Sequence, residues 1–255
     1  MTDDLFQDPP RADEEPRRGS ETDGADGGRP ASREAELQPE ADRSEGEPVS
    51  PQEEAFHLAR TLDRQGRTQQ AAAVYRAILG RNPRHVRAHN NLGVLEDRTG
   101  NHAAALNHYQ AALEVEPDNP EVLGNLGAAL GAMARFTEAE EALERALRLE
   151  PDRIDVRANL GILHFRRGVY PQALNELTWV TQQEPENATA HYYRGEVLNR
   201  LGRVEEALTA LEQASRLQPD NPRIYYLMGI LYDRKHLPVE AGAMYRRARE
   251  LSERR

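Results

Sequence analysis

A period of 34 residues governs most of this sequence. Proline recurs at positions 83, 117, 151, 185 and 219, glycine at 93, 127, 161, 195 and 229, and alanine at 71, 105, 139, 173, 207 and 241. Because three residue types share one period, the sequence predicts stacked copies of a single supersecondary unit. Six units of this length begin at Gln52, and they comprise residues 52–85, 86–119, 120–153, 154–187, 188–221 and 222–255.

Each unit is predicted to form two helices. In the second unit, residues at three- and four-residue steps define two helical faces, one with Leu92, Gly93 and Glu96 and the other with Ala105, Tyr109 and Ala112. The pair Gly100-Asn101 separates the two helices. Gly93 and Ala105 are small, so we expect the two backbones to approach closely where the helices cross.

The junctions between units carry stop and start signals. Pro117 closes the second helix of its unit, because proline lacks an amide hydrogen and clashes with the preceding turn. Asp118 or Asn119 can cap the next helix, and Pro120 suits its first position.

The second unit resembles the tetratricopeptide repeat. The resemblance rests on Asn91-Leu92-Gly93, Gly100, Ala105, Tyr109, Ala112 and Pro117. It extends over residues 52–255, although the first unit has Ala59 in place of the glycine and the sixth lacks the closing proline. It implies an all-α fold, a right-handed superhelix (α-solenoid) of six helix–turn–helix repeats. The first helices would then line a concave groove, which in this family usually binds peptides.

The first 51 residues have a different composition. They contain seven prolines, five glycines and one aromatic residue, Phe6, and residues 1–50 hold 15 acidic residues against 6 arginines. Such a segment buries too little apolar surface to offset the entropy of ordering, so residues 1–51 are predicted to be a disordered acidic tail. The segment Asp3-Asp4-Leu5-Phe6 is a candidate occupant of the chain's own groove, and a tail that only maintains solubility is the alternative.

Composition excludes several classes of function. The chain has no cysteine, and neither a signal peptide nor a membrane-spanning stretch is visible, so we expect a cytoplasmic protein. Residues 51–255 are nearly neutral and carry no basic stripe, which argues against nucleic-acid binding. His85 and His89 have a spacing that can ligate a metal, but packing and capping explain them better. We therefore expect no enzyme activity and no cofactor.

Two polar columns are candidates for peptide binding in the groove. Asn91, Asn125 and Asn159 precede Leu-Gly in successive repeats, and stacked amides can pair with the backbone of an extended peptide. The alternative is that asparagine is simply common at this family position. A second column holds one arginine in five of the six repeats, namely Arg64, Arg98, Arg166, Arg200 and Arg234. It favours an acidic ligand, whereas a solvated face, partly neutralised by neighbouring aspartates, is the alternative.

The third unit predicts a hollow in the groove. Its first helix offers the small residues Gly124, Ala128 and Gly131, while Phe165 and Arg166 of the next unit flank them. Tyr192 and Tyr226 extend the candidate surface toward the C-terminus with aromatic side chains of a kind enriched at interfaces.

The sequence therefore predicts a scaffold or adaptor that binds an extended segment of another protein. A structural, self-assembling repeat protein and a regulatory subunit of a separately encoded enzyme are the alternatives. Weak self-association is also expected, through the last helix and its residues Val239, Ala243 and Leu251.

Overall fold

The computed structural model describes residues 50–254, which form twelve α helices and no strand. The helices are α1 (Pro51–Arg64), α2 (Thr68–Arg81), α3 (Val86–Arg98), α4 (His102–Val115), α5 (Pro120–Ala132), α6 (Phe136–Leu149), α7 (Ile154–Arg166), α8 (Tyr170–Gln183), α9 (Ala188–Arg200), α10 (Val204–Leu217), α11 (Pro222–Arg234) and α12 (Pro238–Glu253). The predicted all-α solenoid of six helix–turn–helix repeats is confirmed. The predicted tail and its segment Asp3–Phe6 lie outside the described residues.

The first helix begins one residue before the predicted start of the repeats. Ser50 accepts a hydrogen bond from the backbone amide of Glu53 (3.2 Å), and Pro51 occupies the first helical position. A serine cap followed by proline is a strong helix start, so Ser50 and Pro51 belong to α1 and not to the tail. The junction signal at Asn119 acts as predicted, since its side-chain oxygen accepts a hydrogen bond from the amide of Val122 (3.1 Å).

The turn between the two helices of each repeat requires a left-handed backbone conformation. Glycine supplies it in four repeats, with φ between 74° and 84° at Gly66, Gly100, Gly168 and Gly202. The third and sixth repeats place Ala134 (φ 58°) and His236 (φ 60°) in the same position. A side chain is strained in this region, so these two turns store backbone strain that the other four lack.

Small residues let the two helices of a repeat pack closely, as predicted. A Cβ atom at Gly93 would lie 2.6 Å from Cε1 of Tyr109, and one at Gly127 would lie 2.5 Å from Cγ of Leu143. Ala105 is fully buried. In the second to sixth repeats, the first helix is therefore fixed against its own second helix by a contact that only glycine permits.

The stacking of repeats gives the solenoid its curvature. Neighbouring first helices contact one another along the series α3, α5, α7, α9 and α11, and each second helix packs against the first helix that follows it. Within residues 50–254, neighbouring second helices make no comparable contact. The first helices therefore line the concave side of the solenoid, which is where the sequence predicts the groove.

Trp179 and Val239 are partly or largely exposed, whereas Leu251 is buried. Trp179 is half-buried, and the guanidinium of Arg157 lies 4.4 Å from its ring centroid. Leu251 is buried, so its predicted place on an exposed self-association surface is wrong, because the last helix turns this side chain into the core. Val239 is 78% exposed. No helix of residues 50–254 combines the length and the hydropathy that a membrane span requires.

Candidate protein-binding groove

The asparagine column does not present three equivalent amides to the groove. The side-chain amide of Asn91 donates to the hydroxyl of Tyr75 (3.0 Å), and burial raises the pKa of that hydroxyl. The amide of Asn125 donates to the side chain of Asn90 (2.9 Å). Asn159 has no hydrogen-bond partner for its side chain within residues 50–254, so its donor and acceptor remain available to a ligand.

The arginine column is equally uneven. Arg98 forms an ion pair with Asp63 of the preceding repeat, and Arg234 donates to the backbone oxygen of Asn199 (3.0 Å). Arg64 donates to the carbonyl oxygen of Arg60, four residues earlier (3.4 Å). Arg166 and Arg200 are exposed, and neither forms an ion pair with any of the described residues. Arg166 and Arg200 also each line an opening along the first helices.

An opening lies at the junction of the third, fourth and fifth repeats, beside residues that the sequence analysis assigned to a hollow. It has a volume of about 270 Å³. Its lining includes Ala128, Gly131 and Ala132 of α5, Asn159 and Arg166 of α7, and Thr189 and Tyr193 of α9. We call this space the hollow. Small residues form its floor, and the unpaired side chains of Asn159 and Arg166 stand at its wall.

Three predicted residues lie beside the hollow without lining it. Gly124 is buried, and a Cβ atom there would lie 2.8 Å from Cγ2 of Val156, so the glycine permits contact between α5 and α7. Phe165 is half-buried and packs against Tyr193, with ring centroids 5.7 Å apart. Asn125 is turned toward the second repeat through its bond to Asn90.

The hollow is lined by one basic and one acidic side chain, Arg166 and Asp97. Nδ1 of His102 lies 2.6 Å from the Asp97 carboxylate and holds it in place. The Arg166 guanidinium has no such partner among the described residues. Because a carboxylate can accept two parallel hydrogen bonds from a guanidinium, an acidic side chain is the best complement for Arg166.

Tyr192 and Tyr226 lie in a second, wider opening at the C-terminal end of the solenoid. Its volume is about 1020 Å³, and its lining includes Arg200, Arg223, Ile230, Tyr245, Ala248 and Arg249. The Tyr192 hydroxyl donates to Glu196 (2.9 Å), and burial raises its pKa. Tyr226 is 58% exposed. We call this surface the C-terminal face.

The histidine pair of the second repeat serves the fold. Nδ1 of His85 accepts a hydrogen bond from the amide of Ala88 (3.1 Å) and so caps α3. Nδ1 of His89 lies 3.1 Å from Nδ1 of His108, and Nε2 of His89 lies 3.0 Å from the carbonyl oxygen of Pro83. The interpretation as capping and packing residues is confirmed.

Several residues of these surfaces escaped the sequence analysis. Asn90 is 4% exposed and connects Asn125 to Glu121, to which it donates (2.8 Å). Arg223, Tyr245 and Arg249 of the C-terminal face were also missed. Comparing the residues 34 apart would have found Arg249, whose counterparts in the other repeats are all uncharged. It would not have found Arg223 or Tyr245, because Arg87 and Tyr109 are the same residue types at the same positions.

Family models identify the repeats of this chain. One model of the tetratricopeptide repeat matches residues 56–120 and 159–214, and another matches residues 98–163. A third TPR repeat model matches residues 197–235. No curated protein sequence matches the chain.

Solved structures share the fold. A tetratricopeptide repeat protein from Parabacteroides merdae has a TM-score of 0.65 and 20% identity, over 80% of this chain and 81% of that one. PilF from Pseudomonas aeruginosa has a TM-score of 0.65 and 22% identity, over 76% of this chain and 88% of that one. MamA from Desulfovibrio magneticus has a TM-score of 0.58 and 22% identity, over 67% and 96%.

Proposed function

Because the chain belongs to the tetratricopeptide repeat family, we propose that it is a non-catalytic adaptor that binds an extended, acidic segment of another protein along its concave side. Proteins of this family bind protein partners, and the hollow provides a place for such contact. The ligand segment lies across α5, α7 and α9. One of its side chains enters the hollow, and a neighbouring carboxylate pairs with Arg166.

The observation that carries this proposal is the combination of open space and unpaired polar groups in the hollow. A volume of about 270 Å³ equals that of roughly nine water molecules, enough for a bulky apolar side chain. Asn159 offers both a donor and an acceptor, which suits the backbone of an extended peptide. Arg166 supplies a positive charge that can pair with an acidic side chain of the ligand. The hollow therefore selects a segment with an apolar side chain next to an acidic one.

The test compares two charge reversals at the same repeat position. Arg166→Glu places a carboxylate at the hollow, whereas Arg64→Glu makes the same change in the first repeat, away from it. Both arginines are exposed, so circular dichroism and thermal unfolding should show intact folds. Affinity purification from the source cells, with mass spectrometry, should recover a partner with the wild type and Arg64→Glu and lose it with Arg166→Glu.

The same experiment separates the alternatives. A partner that Arg166→Glu retains would contradict binding at the hollow. Recovery of the chain itself alone would favour the self-assembling repeat protein. If the lost partner is a separately encoded enzyme, the adaptor acts as its regulatory subunit, and an assay of that enzyme with and without the chain measures the effect.

A further inference from the structure

One repeat position on the first helices faces the following repeat. It is occupied by Phe56, Asn90, Gly124, Ala158, Tyr192 and Tyr226. In the first repeat, the ring of Phe56 stacks on His85 at the start of α3, with ring centroids 5.5 Å apart. In the third, Gly124 lies against Val156 of α7. The position thus belongs to the interface by which each repeat packs on the next.

Tyr226 holds this position in the sixth repeat, and no described residue covers it. Its ring lies against Tyr245 (centroid distance 5.6 Å) and is 58% exposed. Ile230 is half-buried beside it, and Ala248, which also lines the opening, is 7% exposed. The position of Ala248 is likewise buried in the five preceding repeats, at Ile78, Ala112, Ala146, Val180 and Ala214. The C-terminal face is therefore a continuation of the interface between repeats.

Positive charge predominates around this apolar surface, since three arginines line it against one carboxylate, Glu196, which accepts a hydrogen bond from Tyr192. Arg200, Arg223 and Arg249 line the C-terminal face, and none of them forms an ion pair with a residue of 50–254. The position of Arg223 is occupied in the second repeat by Arg87, which pairs with Glu53 of the preceding repeat (3.1 Å). Among residues 50–254, Arg223 has no such acidic partner, because the corresponding residue of the preceding repeat is Thr189. An incoming acidic surface would supply the missing charges.

A second copy of the chain is a poor occupant for this face. The first helix of each inner repeat packs against the preceding repeat through buried apolar residues, for example Val122 and Val156. In the first repeat the same position is Glu54, and the position of the buried Leu95 is Thr61. Both residues are exposed, so end-to-end stacking would bury polar groups against Tyr226.

We propose that the C-terminal face binds an acidic amphipathic helix of another protein, which packs there as the first helix of a further repeat would. The apolar stripe of this helix covers Tyr226 and Ile230, and its flanking carboxylates pair with the three arginines. This inference concerns a surface other than the hollow, and it does not depend on the proposed concave ligand.

Two synthetic helices serve as probes. Each carries Val, Leu and Leu at the spacing of Val156, Leu160 and Leu163, the stripe by which α7 packs against the third repeat. One has glutamate at the remaining surface positions, and its matched control has lysine. Fluorescence anisotropy with the full chain measures the affinity of each. The glutamate helix should bind, the lysine helix should bind at least about tenfold more weakly, and added salt should reduce the difference.

Variants of the chain test whether the glutamate helix binds at the C-terminal face. Arg223→Glu with Arg249→Glu should weaken binding of the glutamate helix by about tenfold, and Tyr226→Ala should do the same through the apolar contact. Arg246→Glu is the matched control, because Arg246 is an exposed arginine of α12 that does not line the face. It should leave binding unchanged.

Three results would overturn the proposal. The two helices could bind equally well, which would remove the charge argument. The control variant Arg246→Glu could weaken binding as much as the variants of the face. Sedimentation velocity could also show a stable oligomer of the wild type that Tyr226→Ala dissociates, which would make a second copy the occupant. Arg166→Glu should not change any of these measurements, so they test the C-terminal face separately from the hollow.

Discussion

The two ends of the solenoid differ at the positions by which inner repeats pack together. At the N-terminal end, Glu54 and Thr61 stand where the inner repeats bury alanine, valine, isoleucine or leucine. At the C-terminal end, Tyr226 is exposed, and the arginines around it form no ion pair with any residue of 50–254. A polar end face keeps a solenoid from stacking, and only the N-terminal end has one.

This difference teaches that the positions by which repeats pack together can have three roles. In an inner repeat such a residue packs against the next repeat, as at Gly124. At the N-terminal end it is a solvent-exposed polar residue, as at Glu54. At the C-terminal face it is an exposed aromatic residue, Tyr226, to which we assign ligand binding. The family pattern alone does not distinguish these roles, because they depend on what lies next to the residue.

The largest expected effect is a difference in the free energy of unfolding between two variants, one at an inner residue and one at a terminal residue of the same repeat position. Gly124→Leu should reduce the free energy of unfolding by about 2–3 kcal/mol, because the added side chain meets Val156 in a closely packed interface. Tyr226→Leu should change it by less than about 0.5 kcal/mol. Urea unfolding followed by circular dichroism measures both. Equal losses would mean that the C-terminal face is packed like an inner interface.

The second prediction concerns a variant in which the polar residues of the N-terminal end are replaced by apolar residues of the kind that inner repeats bury. Glu54→Val with Thr61→Leu should let one copy stack on the C-terminal face of another, with an association constant at least about tenfold above the wild type, or about 1.4 kcal/mol. Sedimentation velocity over a concentration series measures this. Adding Tyr226→Glu should reverse the gain. If the double variant sediments as the wild type does, the polar residues are not what prevents stacking.

The third prediction uses the two strained turns. Ala134→Gly, in an inner repeat, and His236→Gly, in the terminal repeat, should each raise the free energy of unfolding by about 0.5–1 kcal/mol, because glycine adopts the positive φ without strain. The reverse change, Gly100→Ala, should lower it. Hydrogen exchange then shows whether the gain at His236 stays within the sixth repeat. If either glycine variant is less stable than the wild type, the claim that these two turns are strained is wrong.

The smallest effect concerns pH. Burial lowers the pKa of His108, His164 and His191 in the folded chain. A group with a lowered folded pKa binds more protons when unfolded, so stability should fall as pH decreases below the ordinary histidine value of about 6.5. No histidine lines the C-terminal face. Thermal unfolding should therefore shift between pH 7.5 and 5.5, while binding of the glutamate helix at fixed temperature should not.

The sequence predicts the fold almost completely and the site only in part. The period, Pro117 and the Gly93–Ala105 pair determine helix ends and close packing through local geometry, which every repeat shares. The hollow was predictable from Ala128 and Gly131 because small residues leave space wherever they lie. The pairing of Asn91 with Tyr75 and of Arg98 with Asp63 was not, because it depends on side-chain contacts between elements.

The most direct test of the concave site is a binding footprint on the chain. An acidic peptide is first selected from a random displayed library, and the protein is labelled at alanine, isoleucine and leucine methyl groups. Titration followed by NMR should shift the methyl signals of Ala128, Ala132 and Ile162, which line the hollow, and Arg166→Glu should abolish these shifts. Signals that move only at Ile230 and Ala248, or that move equally in Arg166→Glu, would contradict the account.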